Sequence, residues 1–81
     1  MSVGGDASLT KLVRSQIARR YIDSSLLDIR VSHGLVTLRG VIRVLRSHPD
    51  LDLKKEMETI STILRQKAGI RDVVWDVTQR S

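Results

Sequence analysis

The stretch "DIRVSHGLVTLRG", residues 28 to 40, leaves this chain fewer conformational choices than any other segment. Ile29 and Val31 alternate with Asp28, Arg30 and Ser32; beyond His33-Gly34, Val36 and Leu38 alternate with Leu35, Thr37 and Arg39. Alternation of period two on both sides of a glycine-bearing pair predicts two antiparallel strands joined by a two-residue turn. With His33 and Gly34 in the loop, Ser32 faces Leu35, Val31 faces Val36, Arg30 faces Thr37, Ile29 faces Leu38 and Asp28 faces Arg39. A slip of one residue would turn the apolar set into water, so the pattern itself specifies the register. A type I′ turn needs positive φ at both central positions, which glycine adopts freely and histidine tolerates. The second strand is expected to run on through "VIRVL", residues 41 to 45.

The flanking segments change period. From Ser8, read as an N-cap, Leu9, Leu12, Val13, Ile17 and Tyr21 recur at helical spacing, which predicts an amphipathic helix over 8 to 22. Lys11, Arg14, Ala18 and Arg19 lie opposite its apolar face, and Arg20 falls inside the apolar arc with its stem snorkelling past the core edge. Residues 1 to 7, "MSVGGDA", have no period and are expected to be a flexible leader. In "RSHPDLDL", residues 46 to 53, Ser47, Pro49, Asp50 and Asp52 all carry helix-start chemistry. Leu53, Met57, Ile60, Ile63 and Leu64 then repeat at helical spacing as far as Ala68, with Gly69 as the expected C-terminal glycine. Finally "IRDVVWDV" sets Val73, Trp75 and Val77 on one strand face and Val74, Asp76 and Thr78 on the other. The expected fold is α+β: helix, strand, strand, helix, strand, as a two-layer sandwich with a three-stranded sheet and both helices on one of its faces.

Length and composition narrow the functions open to such a fold. Eighty-one residues support one core, here a single domain over 8 to 79. Without cysteine there is no disulfide, thiolate cluster or thiol nucleophile, and two histidines are too few for a zinc site, so no metal or cofactor is expected. His33 falls in a turn and His48 precedes Pro49, both as exposed residues. Ser, His and Asp occur without a nucleophile elbow, the acidic residues of "DLDLKKEME" lack EF-hand spacing, and Gly4-Gly5 lacks the Gly-Lys-Ser/Thr of a phosphate loop. No catalyst is expected. The start of the chain lacks the basic-then-apolar order of a signal peptide, which leaves an intracellular location as the alternative to the one below.

The residues Ile29, Val31, Gly34, Val36, Leu38 and Gly40, followed after a second helix by Gly69, Ile70 and Val73, carry a spacing that resembles the BON domain family (bacterial OsmY and nodulation domain). The likeness spans residues 8 to 78. Trp75 stands where a polar residue is usual, and the segment from Gly40 to Gly69 is longer than expected. The resemblance implies a non-enzymatic module of the bacterial cell envelope, in the periplasm, whose partner is anionic phospholipid or an envelope protein.

Charge independently favours an acidic partner. The chain carries a net charge of +5, and between Lys11 and Arg46 eight basic residues face two acidic ones. Ten of its fourteen positive charges are arginine, the side chain suited to bidentate phosphate contact. Two candidate anion- or lipid-binding surfaces follow: Arg30, Arg39 and Arg43 on the open sheet face, and Lys11, Arg14 and Arg19 on the polar side of the first helix. Opposing the first, Asp28 is placed to pair with Arg39, and Asp76 shares the face. The alternatives are a protein-interaction or self-association module using the open face, a strand edge or the 41 to 53 segment, and a small basic nucleic-acid binder. The last lacks aromatic platforms on the open face.

Overall fold

A computed structural model describes residues 3 to 80 and contains six elements: α1 (Val3–Ala18), β1 (Ile22–Asp23), β2 (Leu27–Ser32), β3 (Leu35–Val44), α2 (Leu53–Arg65) and β4 (Asp72–Arg80). The class is α+β, as expected, with a sheet of four strands instead of three. The hairpin has the register that its alternation requires: Asp28 opposite Arg39, Ile29 opposite Leu38, Arg30 opposite Thr37, Val31 opposite Val36 and Ser32 opposite Leu35. His33 (φ 50°) and Gly34 (φ 82°) both adopt positive φ, the primed geometry that matches the twist of the flanking strands.

The additional strand arises where α1 ends. Helical spacing continues through Tyr21 and Ile22, but the helix stops at Ala18, four residues early. Bonds from Arg19 N to Gln16 O (3.3 Å) and Arg20 N to Ile17 O (3.0 Å) tighten the last turn. The freed chain extends, and Ile22 pairs with Val44 while Asp23 pairs with Arg43. Ile22 is thereby buried in the sheet layer, and Tyr21, expected on the apolar helix face, is exposed and stacks on the His48 ring at 4.4 Å. At its other end α1 begins at Val3, not after a cap at Ser8. Residues 3 to 7, expected in a leader, are helical because extending a nucleated helix costs far less than starting one; Met1 and Ser2 lie outside the described residues.

Three ranks of strand result. β3 is central, with β2 and then β1 antiparallel along one edge and β4 parallel along the other. Between β1 and β2 the chain turns through Ser24–Leu26, where the Asp23 carboxylate accepts from Ser25 N (3.0 Å) and Ser25 Oγ (2.7 Å). Rejoining the edge at Leu27 brings the Leu26 carbonyl against Gly40, which it would meet as a clash if Gly40 had a Cβ, and Gly40 takes φ 120°. Val41 N donates to that same carbonyl at 3.2 Å. The glycine that closes the hairpin motif is therefore required by a close backbone approach.

α2 begins at Leu53 because Asp52 caps it, its carboxylate accepting from Lys55 N at 3.2 Å. It ends at Arg65 with Gln66 as C-cap, four residues before the expected glycine. Gly69 (φ 90°) instead turns the chain toward β4 beneath the Leu9 side chain. The start of β4 is tied to the hairpin turn by a bond from Arg71 N to Gly34 O (2.8 Å). Val13 and Ile17 of α1 and Leu53, Ile60 and Leu64 of α2 share one core with Ile29, Val31, Val36, Leu38, Ile42 and Val73 from the sheet. The helices run antiparallel: Leu9 lies by Gly69 beyond the end of α2, and Arg20 reaches Glu56 near its start.

Candidate functional site

The sheet face away from the helices is built by the odd residues of β3 and their neighbours. Strand pairing sets these side chains in rows: Ser32, Leu35 and Asp72; Arg30, Thr37 and Val74; Asp28, Arg39 and Asp76; then Asp23, Arg43 and Arg80. All three arginines expected to form an anion site are therefore on one face, each beside a carboxylate. Arg30 Nε lies 3.5 Å from Asp28, Arg39 Nε lies 3.4 Å from Asp76, and Arg43 Nη2 donates to Asp23 at 2.8 Å. Asp28 faces Arg39 across the strands as expected, yet pairs with Arg30 two residues along its own strand. The Ser25 hydroxyl and then the Ser25 backbone N–H, with Arg43 adding to them, hold the Asp23 carboxyl below the usual carboxylate range. Asp72 is lowered too, by Val73 N–H first and Arg65 second. The face is a checkerboard of compensated charge, and its intervening surface is Leu35, Thr37, Val41 and Val74.

The basic side of α1 differs. Lys11, Arg14 and Arg19 are all exposed, with Arg19 just past the end of the helix. Among the residues whose side chains are described, no carboxylate lies within ion-pair distance of any of them. The fourth basic residue of this region, Arg20, is turned inward. Its Nε and Nη2 donate to Glu56 Oε1 and Oε2 at 2.9 and 3.0 Å, a bidentate bond that joins the end of α1 to the first turn of α2. Glu56 is only 9% exposed, and this hydrogen bond raises the Arg20 pKa above its ordinary value. The helical spacing that placed Arg20 in the apolar arc was informative about its burial but silent on its partner.

The motif residues have structural employment. Ile29, Val31, Val36, Leu38, Ile70 and Val73 are core residues, and Gly34, Gly40 and Gly69 occupy the three positive-φ glycine positions. Trp75 lies half-buried on the core side of β4, its Nε1 donating to Ser61 Oγ at 2.7 Å. No aromatic platform therefore faces outward from the sheet among the described residues. No group of three His, Asp or Glu side chains among them is placed to hold a metal ion, and none of their helices is long and apolar enough to cross a membrane. Comparison with family models, curated proteins and solved structures finds no match to this chain.

Proposed function

We propose that this chain is a non-catalytic binding module that rests on an anionic surface, a phospholipid membrane, through the exposed basic side of α1. One observation carries the choice of surface: Lys11, Arg14 and Arg19 have no carboxylate partner among the residues whose side chains are described, whereas Arg30, Arg39 and Arg43 each have one. An arginine already paired must exchange one anion for another, with little net gain. An unpaired cation gains the whole attraction of the surface, about 1 kcal/mol for each residue that reaches it. The BON-like spacing of the hairpin supports the same reading, since lipid attachment at the bacterial envelope is what that resemblance implies.

Such binding is peripheral and salt-dependent, because it uses solvent-exposed charge and inserts no apolar helix. Sedimentation with vesicles of mixed phosphatidylglycerol and phosphatidylcholine tests it. The expected result is binding at low salt that is lost as ionic strength rises through about 0.3 M, with no binding to phosphatidylcholine alone. Equal recovery with neutral and anionic vesicles would exclude the reading. A shifted oligonucleotide band without any vesicle binding would favour a nucleic-acid partner instead.

A further inference from the structure

β4 is a nine-residue strand at the edge of the sheet, paired with β3 on one side and with nothing on the other among the described residues. Edges of this length are ordinarily blunted by proline, lysine, a bulge or an interruption. The opposite edge shows such a device, for it is split into β1 and β2 by the turn at Ser24–Leu26 and distorted at Gly40. β4, "DVVWDVTQR", has no proline, lysine or interruption; its charges are Asp72, Asp76 and Arg80, with the Asp72 carboxylate accepting from Val73 N at 2.8 Å, and its centre of Val73, Val74, Trp75, Val77 and Thr78 is rich in strand-favouring side chains.

The strand is also complementary to itself when reversed. A two-fold axis through Asp76 sets Asp72 opposite Arg80 of a second copy at both ends, with Val74 opposite Thr78 on the open face. On the helix side the same register sets Trp75 opposite Val77 and Val73 opposite Gln79. Trp75 and Val77 are only half-buried within one chain, and Trp75 borders an exposed groove formed with Lys54, Met57, Glu58, Ser61, Thr62 and Arg65 of α2. Asp76 meets its own symmetry mate, each carboxylate already flanked by Arg39 at 3.4 Å, and Asp72 would share its carboxylate between Arg80 of the second copy and Arg65 of its own chain at 3.3 Å.

We propose that two copies of this chain associate through antiparallel pairing of their β4 edges, forming one continuous sheet. The axis stands perpendicular to that sheet, so both helical layers lie on the same side. Because α1 packs over β2 and α2 over β4, the two α2 helices flank the axis and the two α1 helices lie outermost. The pairing does not depend on what α1 binds.

Sedimentation equilibrium of the whole chain without lipid tests the proposal. The wild type dimerises; Asp72→Arg and Arg80→Asp each weaken the dimer by about tenfold or more, since one exchange turns two attractive pairs repulsive. The double variant Asp72→Arg/Arg80→Asp restores association, which a loss of folding would not permit. Asp76→Asn tightens the dimer by removing the one like-charge contact. Both end residues and Asp76 are exposed, and far-ultraviolet circular dichroism checks that each variant stays folded. A monomer at every concentration up to about 1 mM overturns the proposal. So does a dimer indifferent to all four variants, which would be built on another surface.

Discussion

Gly40 and the Arg20–Glu56 pair show how much of this fold rests on single residues. At Gly40 a positive φ of 120° coincides with a backbone carbonyl in the space that a Cβ would take. Gly40→Ala should therefore cost about 3 kcal/mol, read as a shift in the urea midpoint; a variant as stable as the wild type would contradict the close approach described above. Glu56 is nearly buried, while the Arg20 side chain keeps 28% of its exposure and can swing toward water. Truncation of one partner, Glu56→Ala, is thus expected to cost about 2 kcal/mol, below the range for a fully buried pair. Replacing both, as in Arg20→Met/Glu56→Leu, should recover most of it, because the two desolvation costs disappear together. Asp23 contributes to acid sensitivity, as does Asp72. The folded-state pKa of Asp23 lies below the ordinary 3.8, so its contribution is present above that value and is lost as pH falls through the folded one. Asp23→Asn should accordingly flatten the fall of stability below about pH 4 in a series of urea melts, whereas an unchanged acid limb would remove Asp23 from the account.

At the scale of elements, legibility in the sequence followed the strength of periodic signals. The hairpin was readable pair by pair because each side has several alternating residues and the turn chemistry is specific; Ile29 opposite Leu38 and Val31 opposite Val36 needed no tertiary information. β1 was not readable. Two residues carry no period, and Ile22 fits the preceding helical spacing as well as it fits a strand. Only the partner, Val44, decides between them. The ends of both helices were misplaced for a related reason: Tyr21 continues the spacing of α1 and Gly69 offers a plausible stop for α2, while the actual ends depend on where the chain must turn to reach the sheet. The start of α2 had four candidate residues, and geometry selects Asp52. Asp52→Ala is expected to lower stability by about 1 kcal/mol, with Asp50→Ala neutral in the same melts; the reverse ranking would move the cap.

For the whole molecule, the decisive property is the distribution of charge. A net charge of +5 and a cluster of arginines were visible in composition, but the ion pairs were not, because Asp76 reaches Arg39 only through the parallel return of β4 and Asp23 reaches Arg43 only through β1. Those contacts pair Arg30, Arg39 and Arg43, on the face that sequence alone favours, and leave Lys11, Arg14 and Arg19 without a partner among the residues whose side chains are described. Three residues at about 1 kcal/mol each correspond to millimolar affinity for one copy. Pairing through β4 would set two such ridges on one side of a shared sheet, where a second engagement adds avidity without any new contact. We propose that membrane contact belongs to α1 and not to the open sheet. The most direct measurement is sedimentation with anionic vesicles at low salt, comparing Lys11→Glu/Arg14→Glu/Arg19→Glu with Arg30→Glu/Arg39→Glu/Arg43→Glu, all at matched net charge and with folding checked by circular dichroism. The first set should abolish binding while the second retains most of it. Equal loss in both sets, or greater loss in the second, would contradict it.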